Sequence, residues 1–262
     1  MSRSSPLVIL LVGVVAAGAS TRARADEPRR VFSLSPAVDG AIIGIAALGN
    51  VVPLALQDRI VRERCPCDPS EVPGFDRFAI GLHSDAASRA SDWTRNLALI
   101  VPPIAGLVAL GPTRAFFEDA TVFAEALAVS GALVNLAKYT VQRPIPRAYA
   151  GDPDQLREPG AYLAFYSSHA TMTFTALTDL AWTMRLRYGE QGWPWAVAGI
   201  LGTSVAAERV LAGHHFLSDV VVGAAIGIAV GTAVPLLHEA SADRSAVSVR
   251  GAMRGVSIAG TF

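Results

Sequence analysis

The chain has 262 residues, of which 52% are apolar and only 17% are charged, and its mean hydropathy is +0.39. This composition is more apolar than that of an average soluble domain and favours a membrane protein. The 22 basic and 22 acidic residues give a formal charge of zero, which argues against nucleic acid as a partner because phosphate-backbone binding requires a basic excess.

The first 25 residues have the three parts of a secretory signal peptide. Arg3 precedes an apolar run over 7–19, and a small-x-small sequence ends at Ala25. We expect cleavage after Ala25, which leaves a helical domain over 26–238 and a polar tail over 239–262. An uncleaved anchor helix is the alternative, but the 13-residue apolar run is short beside the roughly 20 residues that span a bilayer.

Beyond this segment, six apolar stretches are long enough to cross or nearly cross a membrane, and we expect all six to be helices. They are 36–57, 93–111, 117–139, 170–187, 194–212 and 215–237. Most of them carry a polar residue, which is costly in lipid unless it faces the bundle interior or a wet cavity. The sequence therefore predicts an all-α, membrane-embedded six-helix bundle with an aqueous pocket.

The polar segment 58–92 separates the first two stretches, and its scattered apolar residues indicate an amphipathic surface helix plus a loop. Cys65 and Cys67 are the only cysteines of the sequence. One intervening residue makes an intramolecular disulfide awkward, and two thiols are too few for structural zinc. In the tail, apolar residues alternate around Gly251 and Gly255, which predicts a short β-hairpin, with a disordered tail as the alternative.

Three polar clusters interrupt the helices, namely 138–147, 166–169 and 209–219. The first closes the third helix, the second opens the fourth, and the third connects the fifth to the sixth. In an antiparallel bundle these positions share one face, so we expect the clusters to converge. Lys138, the single lysine beside 21 arginines, belongs to the first cluster.

The cations, serines and histidines of these clusters are suited to holding and cleaving a phosphate ester. Lys138 and Arg209 would neutralise phosphoryl oxygens, the arginine through its planar fork and the lysine as a point charge. Ser167, Ser168 and the free N–H groups that open the fourth helix would form an anion cradle.

His215 is the candidate nucleophile, because Asp219, four residues later on the same helical face, can orient its ring. His169 would protonate the leaving oxygen and later activate water. No metal or other cofactor is required. Zinc or iron bound by His169, His215 and Asp219 is the alternative, but the nearby cations would repel a divalent ion.

Other polar residues of the helical region are expected to be structural. We interpret Glu125 and Asp179 as interhelical contacts, His83 and His238 as solvated side chains, and His214 as a neighbour of the site without a chemical role.

These residues resemble the phosphatidic acid phosphatase type 2 / vanadium haloperoxidase superfamily. Its signature runs Lys-x6-Arg-Pro, then Pro-Ser-Gly-His, then Ser-Arg-x5-His-x3-Asp. The resemblance covers 138–219 and, through the six-helix pattern, most of the mature chain. It implies a metal-independent phosphatase with His215 as nucleophile and His169 as acid and base. The implied phosphate binders are Lys138, Ser167 and Arg209.

The sequence departs from the signature at several positions. Ile145 stands where the family has the arginine of the first motif, and Arg143 or Arg147 could supply the missing cation. Tyr166 replaces proline and Ser168 replaces glycine in the second motif. In the third motif, Glu208 replaces serine.

The leading hypothesis is a phosphatase acting on a lipid phosphate or isoprenoid diphosphate through a phosphohistidine. A vanadate-dependent haloperoxidase and a catalytically impaired lipid-phosphate-binding membrane protein are the alternatives. We expect a bacterial inner-membrane protein with its site facing the periplasm, or a soluble periplasmic enzyme. A spanning helix at 36–57 would instead return the pocket to the cytoplasm, as Arg59, Arg62 and Arg64 favour.

Overall fold

The computed structural model describes residues 30–151, 156–240, 248–252 and 255–259. All six predicted helices are present, and the fold is an all-α bundle. The helices are α1 Pro36–Ala55, α2 Asp85–Leu110, α3 Arg114–Val141, α4 Ser168–Tyr188, α5 Gly192–Leu211 and α6 Leu217–His238. The predicted signal peptide, residues 1–25, lies outside the described residues.

Local sequence signals fix where several helices begin and end. Ser84, Thr113 and Ser167 precede α2, α3 and α4, and each side-chain oxygen accepts a hydrogen bond from the backbone N–H three residues later. Gly111 and Gly189 follow the ends of α2 and α4 with φ values of 64° and 84°, which glycine adopts without steric cost.

The segment between α1 and α2 differs from the prediction. Its last part is the first two turns of α2, and 58–84 forms turns and short helices rather than an amphipathic surface helix. These short helices are Gln57–Ile60, Pro69–Glu71 and Arg77–Ala79. The structure also joins Cys65 to Cys67 in a disulfide, so the expectation against this pairing is wrong.

Helix α4 lies at the centre of the bundle and is buried along most of its length. It packs most closely on α6, where three glycines recur at every fourth position. At Gly223, Gly227 and Gly231 a Cβ atom would lie within 2.8 Å of a carbonyl oxygen of α4 or of Ser167, which caps it. The glycines therefore allow the two helix backbones to come into direct contact.

Four helical segments are long and apolar enough to cross a membrane, which indicates a membrane protein. They are Pro36–Ala55, Asp85–Leu110, Arg114–Tyr149 and Leu217–His238. Helix α1 is the most exposed of them, and large apolar side chains such as Ile45 and Leu48 lie on its surface. Exposed apolar side chains of this size are expected where a helix faces lipid.

The two ends of the bundle are distinct. At the site end, α3 and α5 terminate while α2, α4 and α6 begin. At the far end, Phe32 forms a backbone bridge with Glu239, just after the end of α6. Near the C-terminus, β1 Ser248–Ala252 and β2 Gly255–Ala259 pair antiparallel, in the segment for which the sequence predicts a hairpin.

Candidate active site

The three polar clusters converge at the site end, as predicted. Lys138, in the last turn of α3, donates from Nζ to the carbonyl oxygen of Leu163 in the connection to α4. The backbone N–H of Ser167 donates to the carbonyl oxygen of Asp219 at 3.1 Å, which joins the starts of α4 and α6. Arg209, near the end of α5, approaches α2 through its contacts with Ser91 and Asp92.

His215 and Asp219 lie next to each other in the protein interior. Their exposed fractions are 4% and 0%, and Nδ1 of the histidine is 3.8 Å from Oδ2 of the carboxylate. Asp219 Oδ2 is held in turn by the backbone N–H of Phe216 at 2.9 Å. Because the Nδ1 edge of the ring faces the carboxylate, Nε2 is the nitrogen left for chemistry.

Burial lowers the pKa of His215 to about 4. The nearby positive charges of Lys138 and Arg209 act in the same direction, whereas Asp219 opposes them. The imidazole is therefore neutral near pH 7, which is the form that a nucleophilic nitrogen needs.

His169, the second residue of α4, has a carboxylate partner of its own. Its Nε2 lies 2.6 Å from Oδ1 of Asp92, a residue of α2. A carboxylate accepts hydrogen bonds, so Nε2 carries the proton of the neutral ring and Nδ1 carries the lone pair. Nδ1 has no hydrogen-bond partner among the described residues.

The pKa of His169 is lowered by burial and by several charged residues of the site, which lie near it. Burial lowers its pKa most strongly, and the positive charges of Arg209, Arg95 and Lys138 add to the effect, as does His215. The two histidines and the predicted cations thus occupy one region of the structure. A bound anion would offset these cations and raise the pKa of His169.

Arg209 is buried and only partly paired. Its exposed fraction is 8%, and Nη1 is 3.4 Å from Ser91 Oγ and 4.0 Å from Asp92 Oδ1. Its Nε has no hydrogen-bond partner within the described part of the chain. A buried guanidinium N–H without an acceptor is costly, and an anion in the pocket would remove that cost.

Ser167 and Ser168 occupy the start of α4, as the sequence predicts. Ser167 is fully buried and caps the helix, because its Oγ accepts from the N–H of Ala170 at 3.4 Å. Its hydroxyl hydrogen remains available as a donor. Ser168 is the half-buried first residue of the helix.

Arg143 has partners that do not fit the expected contact with phosphate. Its Nη1 donates to Ser218 Oγ and Asp219 Oδ1, both at 2.7 Å, and its Nη2 donates to Asp76 Oδ2 at 2.8 Å. The guanidinium also lies 4.0 Å from the ring centre of Phe216. Arg143 therefore holds the carboxylates behind His215, and we do not retain it among the phosphate ligands.

Arg147 is better placed to supply the cation that Ile145 lacks. Ile145 has an exposed fraction of 5% and packs in an apolar cluster with Ala161 and Tyr162. Arg147 is also buried, and its Nε donates to the carbonyl oxygen of Ala212, just before the histidines, at 2.8 Å. Its Nη2 lacks a hydrogen-bond partner among the residues that the structure describes, and it forms a long ion pair, at 3.8 Å, with Oδ1 of the exposed Asp85.

Two acidic residues of the site region, Asp76 and Asp92, were not identified by the sequence analysis. Asp92 belongs to a stripe of four polar residues at helical spacing, which are Ser88, Ser91, Asp92 and Arg95. That spacing places them on one helix face and is a signal that could have identified Asp92. Asp76 lies among short helices in 58–84, where no such periodicity exists.

Residues 119–243 match the family model of the PAP2 superfamily. The matched range contains all three polar clusters and both histidines of the site. No curated protein and no solved structure matches the chain significantly.

Proposed function

Because residues 119–243 belong to the PAP2 superfamily, a family of phosphoester hydrolases, we propose that this chain is a membrane phosphatase acting on a lipid phosphate or an isoprenoid diphosphate. One observation carries the proposal. Two histidines, each next to a carboxylate, occupy a region that also holds two cations, the half-buried Lys138 and the buried Arg209. This arrangement provides a nucleophile, a proton carrier and an anion site without a metal.

The phosphate would bind to donors that make no hydrogen bond within the described part of the chain. Arg209 offers Nε and Arg147 offers Nη2, while Lys138 contributes a point charge. The first N–H groups of α4, at Ser168 and His169, point along the helix axis toward the same region and carry the positive end of the helix dipole. These groups together would balance the charge of a phosphate dianion.

In the first step, Nε2 of His215 attacks phosphorus and the bond between phosphorus and the leaving oxygen breaks. Asp219 stabilises the positive charge that develops on the ring. His169, protonated at Nδ1, donates that proton to the leaving oxygen. The bound anion favours this protonation because it offsets the charge of the surrounding cations. The products are an alcohol, or a lipid monophosphate, and a phosphohistidine.

In the second step, water attacks the phosphorus of the phosphohistidine. Nδ1 of His169, now without its proton, accepts a proton from that water while the bond between phosphorus and nitrogen breaks. Phosphate leaves and His215 returns to its neutral state. Asp92, bound to Nε2 of His169, keeps the ring oriented in both steps.

An apolar cleft beside the site supports a lipid substrate. It has a volume of about 470 Å³ and lies between α5 and α6, with Val210, Leu211, Leu217 and Val221 among its lining residues. Val210 directly follows Arg209 in sequence. A hydrocarbon tail in this cleft would stay in an apolar environment while its phosphate reaches the cations.

The test is release of inorganic phosphate by full-length protein in detergent, with a chelator present, from phosphatidate and from undecaprenyl diphosphate. We expect turnover that His215→Ala abolishes and that His83→Ala, a change at an exposed histidine, leaves intact. An absence of release from folded wild-type protein would contradict the proposal. Halide oxidation that requires vanadate and peroxide would support the haloperoxidase alternative instead.

The covalent intermediate has a separate test. After rapid mixing with a phosphorus-labelled substrate and quenching in alkali, mass spectrometry should find an acid-labile phosphate on His215. Label on His169, or on neither histidine during steady turnover, would reject the assigned roles.

A further inference from the structure

A second group of ionisable side chains lies at the far end of the bundle. Asp39 in the first turn of α1, Glu125 in α3 and His238 at the end of α6 bring their ligand atoms within 4.8 Å of one another. His238 Nε2 is 3.4 Å from Asp39 Oδ1 and 3.6 Å from Glu125 Oε2. The prediction that His238 is solvated is therefore wrong, whereas Glu125 does make the expected contact between helices.

The hydrogen bonds of the group leave one buried acceptor atom, Glu125 Oε2, without a partner among the described residues. His238 Nδ1 lies 2.9 Å from the carbonyl oxygen of Val234 and donates to it, which leaves Nε2, 3.4 Å from Asp39 Oδ1, to hold either a proton or a metal ion between the ring and the carboxylates. Glu125 has an exposed fraction of 4%, and its Oε2 has no hydrogen-bond partner in the described structure. Buried acceptors without a donor or a cation between them are unfavourable.

Within the described structure, no arginine or lysine forms an ion pair with either of the two carboxyl groups. Across the described ranges, His238 is the only basic side chain within 4.0 Å of Asp39 or Glu125. The nearby Glu118 on the same helix, by contrast, has Arg114 at 2.9 Å. The group thus combines two carboxyl groups with one imidazole, which are the ligand types of many divalent metal sites.

We propose that Asp39, Glu125 and His238 bind a divalent transition metal ion of the zinc or manganese class. Ligand atoms about 2.1 Å from a tetrahedral ion lie about 3.4 Å apart, which is close to the two distances observed here. The imidazole ligand favours these ions over magnesium and calcium, which prefer oxygen. Two carboxylates neutralise the charge of the ion.

The metal site is separate from the active site and does not depend on its proposed chemistry. His238 and Asp219 are at opposite ends of α6, roughly 28 Å apart along the helix axis by its rise per residue. The ion would connect α1, α3 and α6 where the N-terminal segment also joins them, since Ser33 N–H donates to the carbonyl oxygen of His238 at 2.8 Å. Its role is therefore structural.

The test uses full-length protein purified without a histidine tag, stripped with chelator and titrated with Zn²⁺ or Mn²⁺ by calorimetry. We expect one equivalent per chain and a higher thermal unfolding midpoint with the ion. Glu125→Gln should weaken affinity at least tenfold and remove the shift of the midpoint. Glu118→Gln and His215→Ala should keep both, which separates this site from a neighbouring glutamate and from the active site.

A second measurement needs no variant and remains informative if Glu125→Gln fails to fold. X-ray absorption of the zinc-loaded wild-type protein should show one imidazole and oxygen ligands at about 2.0 to 2.2 Å. Failure of the wild-type protein to bind either ion, or zinc without an imidazole ligand, would overturn the proposal. Equal affinity in the wild type and in folded Glu125→Gln would overturn it as well.

Discussion

Oδ1 of Asp92 lies 2.6 Å from Nε2 of His169, so a residue of α2 orients the proposed acid and base of α4. Asp92 Oδ1 also lies 4.0 Å from Nη1 of Arg209. One carboxylate thus links the proton carrier to a phosphate-binding cation.

Asp92→Asn should lower kcat/KM for a lipid substrate by roughly 10- to 100-fold, part of the effect that a general acid or base supplies. The loss should be smaller for p-nitrophenyl phosphate, whose leaving group needs little protonation. Phosphate release from both substrates measures the difference. Asp58→Asn, at an exposed aspartate, is the matched control. Equal losses with the two substrates would assign Asp92 a purely structural role.

The imidazole of His215 should titrate far below an ordinary histidine. Because burial lowers its pKa to about 4, the ring stays neutral as the pH falls from 7 to 5 and gains its proton only near pH 4. The nucleophile is therefore available across a range in which an unperturbed histidine, with a pKa near 6.5, becomes charged. NMR of histidine-labelled protein can follow the resonance that His215→Ala removes. A midpoint near 6.5 would contradict the buried geometry.

Ile145→Arg should destabilise the protein rather than repair the family motif. The side chain is buried among apolar residues, and an unpaired charge there costs about 3 to 5 kcal/mol. Thermal unfolding should show the loss, while Ile145→Leu should cost less than about 1.5 kcal/mol. Turnover per folded molecule should not rise. A rate well above wild type would show instead that the natural site lacks a cation at this position.

Arg147 should supply the substrate-binding cation that is absent at position 145. Arg147→Gln removes a donor to a charged oxygen, which is worth about 1.5 to 3 kcal/mol, or roughly 10- to 150-fold in kcat/KM. Arg147→Lys keeps the charge and should recover part of the loss. Kinetics are compared with the unfolding midpoint, because the contact of Arg147 with Ala212 also supports the loop. Parallel losses in both variants and in stability would indicate a structural role alone.

The contact between α4 and α6 should not tolerate a methyl group. In Gly227→Ala, the Cβ would lie 2.5 Å from the carbonyl oxygen of Thr171, and overpacking of this kind costs about 1 to 3 kcal/mol. Gly199→Ala, on an open surface of α5, should instead be neutral or gain up to about 1 kcal/mol of helix propensity. Thermal unfolding of the two variants distinguishes them. Equal midpoints would contradict the close packing.

The six helices and the convergence of the polar clusters were predictable, because long apolar stretches and up-and-down connectivity leave few arrangements. The hydrogen-bond partners of Arg143 could not be predicted from the sequence. Its sequence position beside the first motif suggested phosphate, but Asp76 comes from an aperiodic segment whose path only the folded structure reveals. The group formed by Asp39, Glu125 and His238 was not predicted either, because Glu125 is 86 residues from Asp39 and 113 residues from His238 in the sequence.

The glycine contact between α4 and α6 has a consequence for substrate range. His169 stands at the start of α4 and His215 just before α6, and the two main chains touch nearby, where Gly223 meets the carbonyl oxygen of Ser167. The two histidines should then keep their separation when side chains elsewhere in the site are substituted. Differences between lipid substrates would then be accommodated in the apolar cleft, where side chains can change without altering the distance between the two histidines.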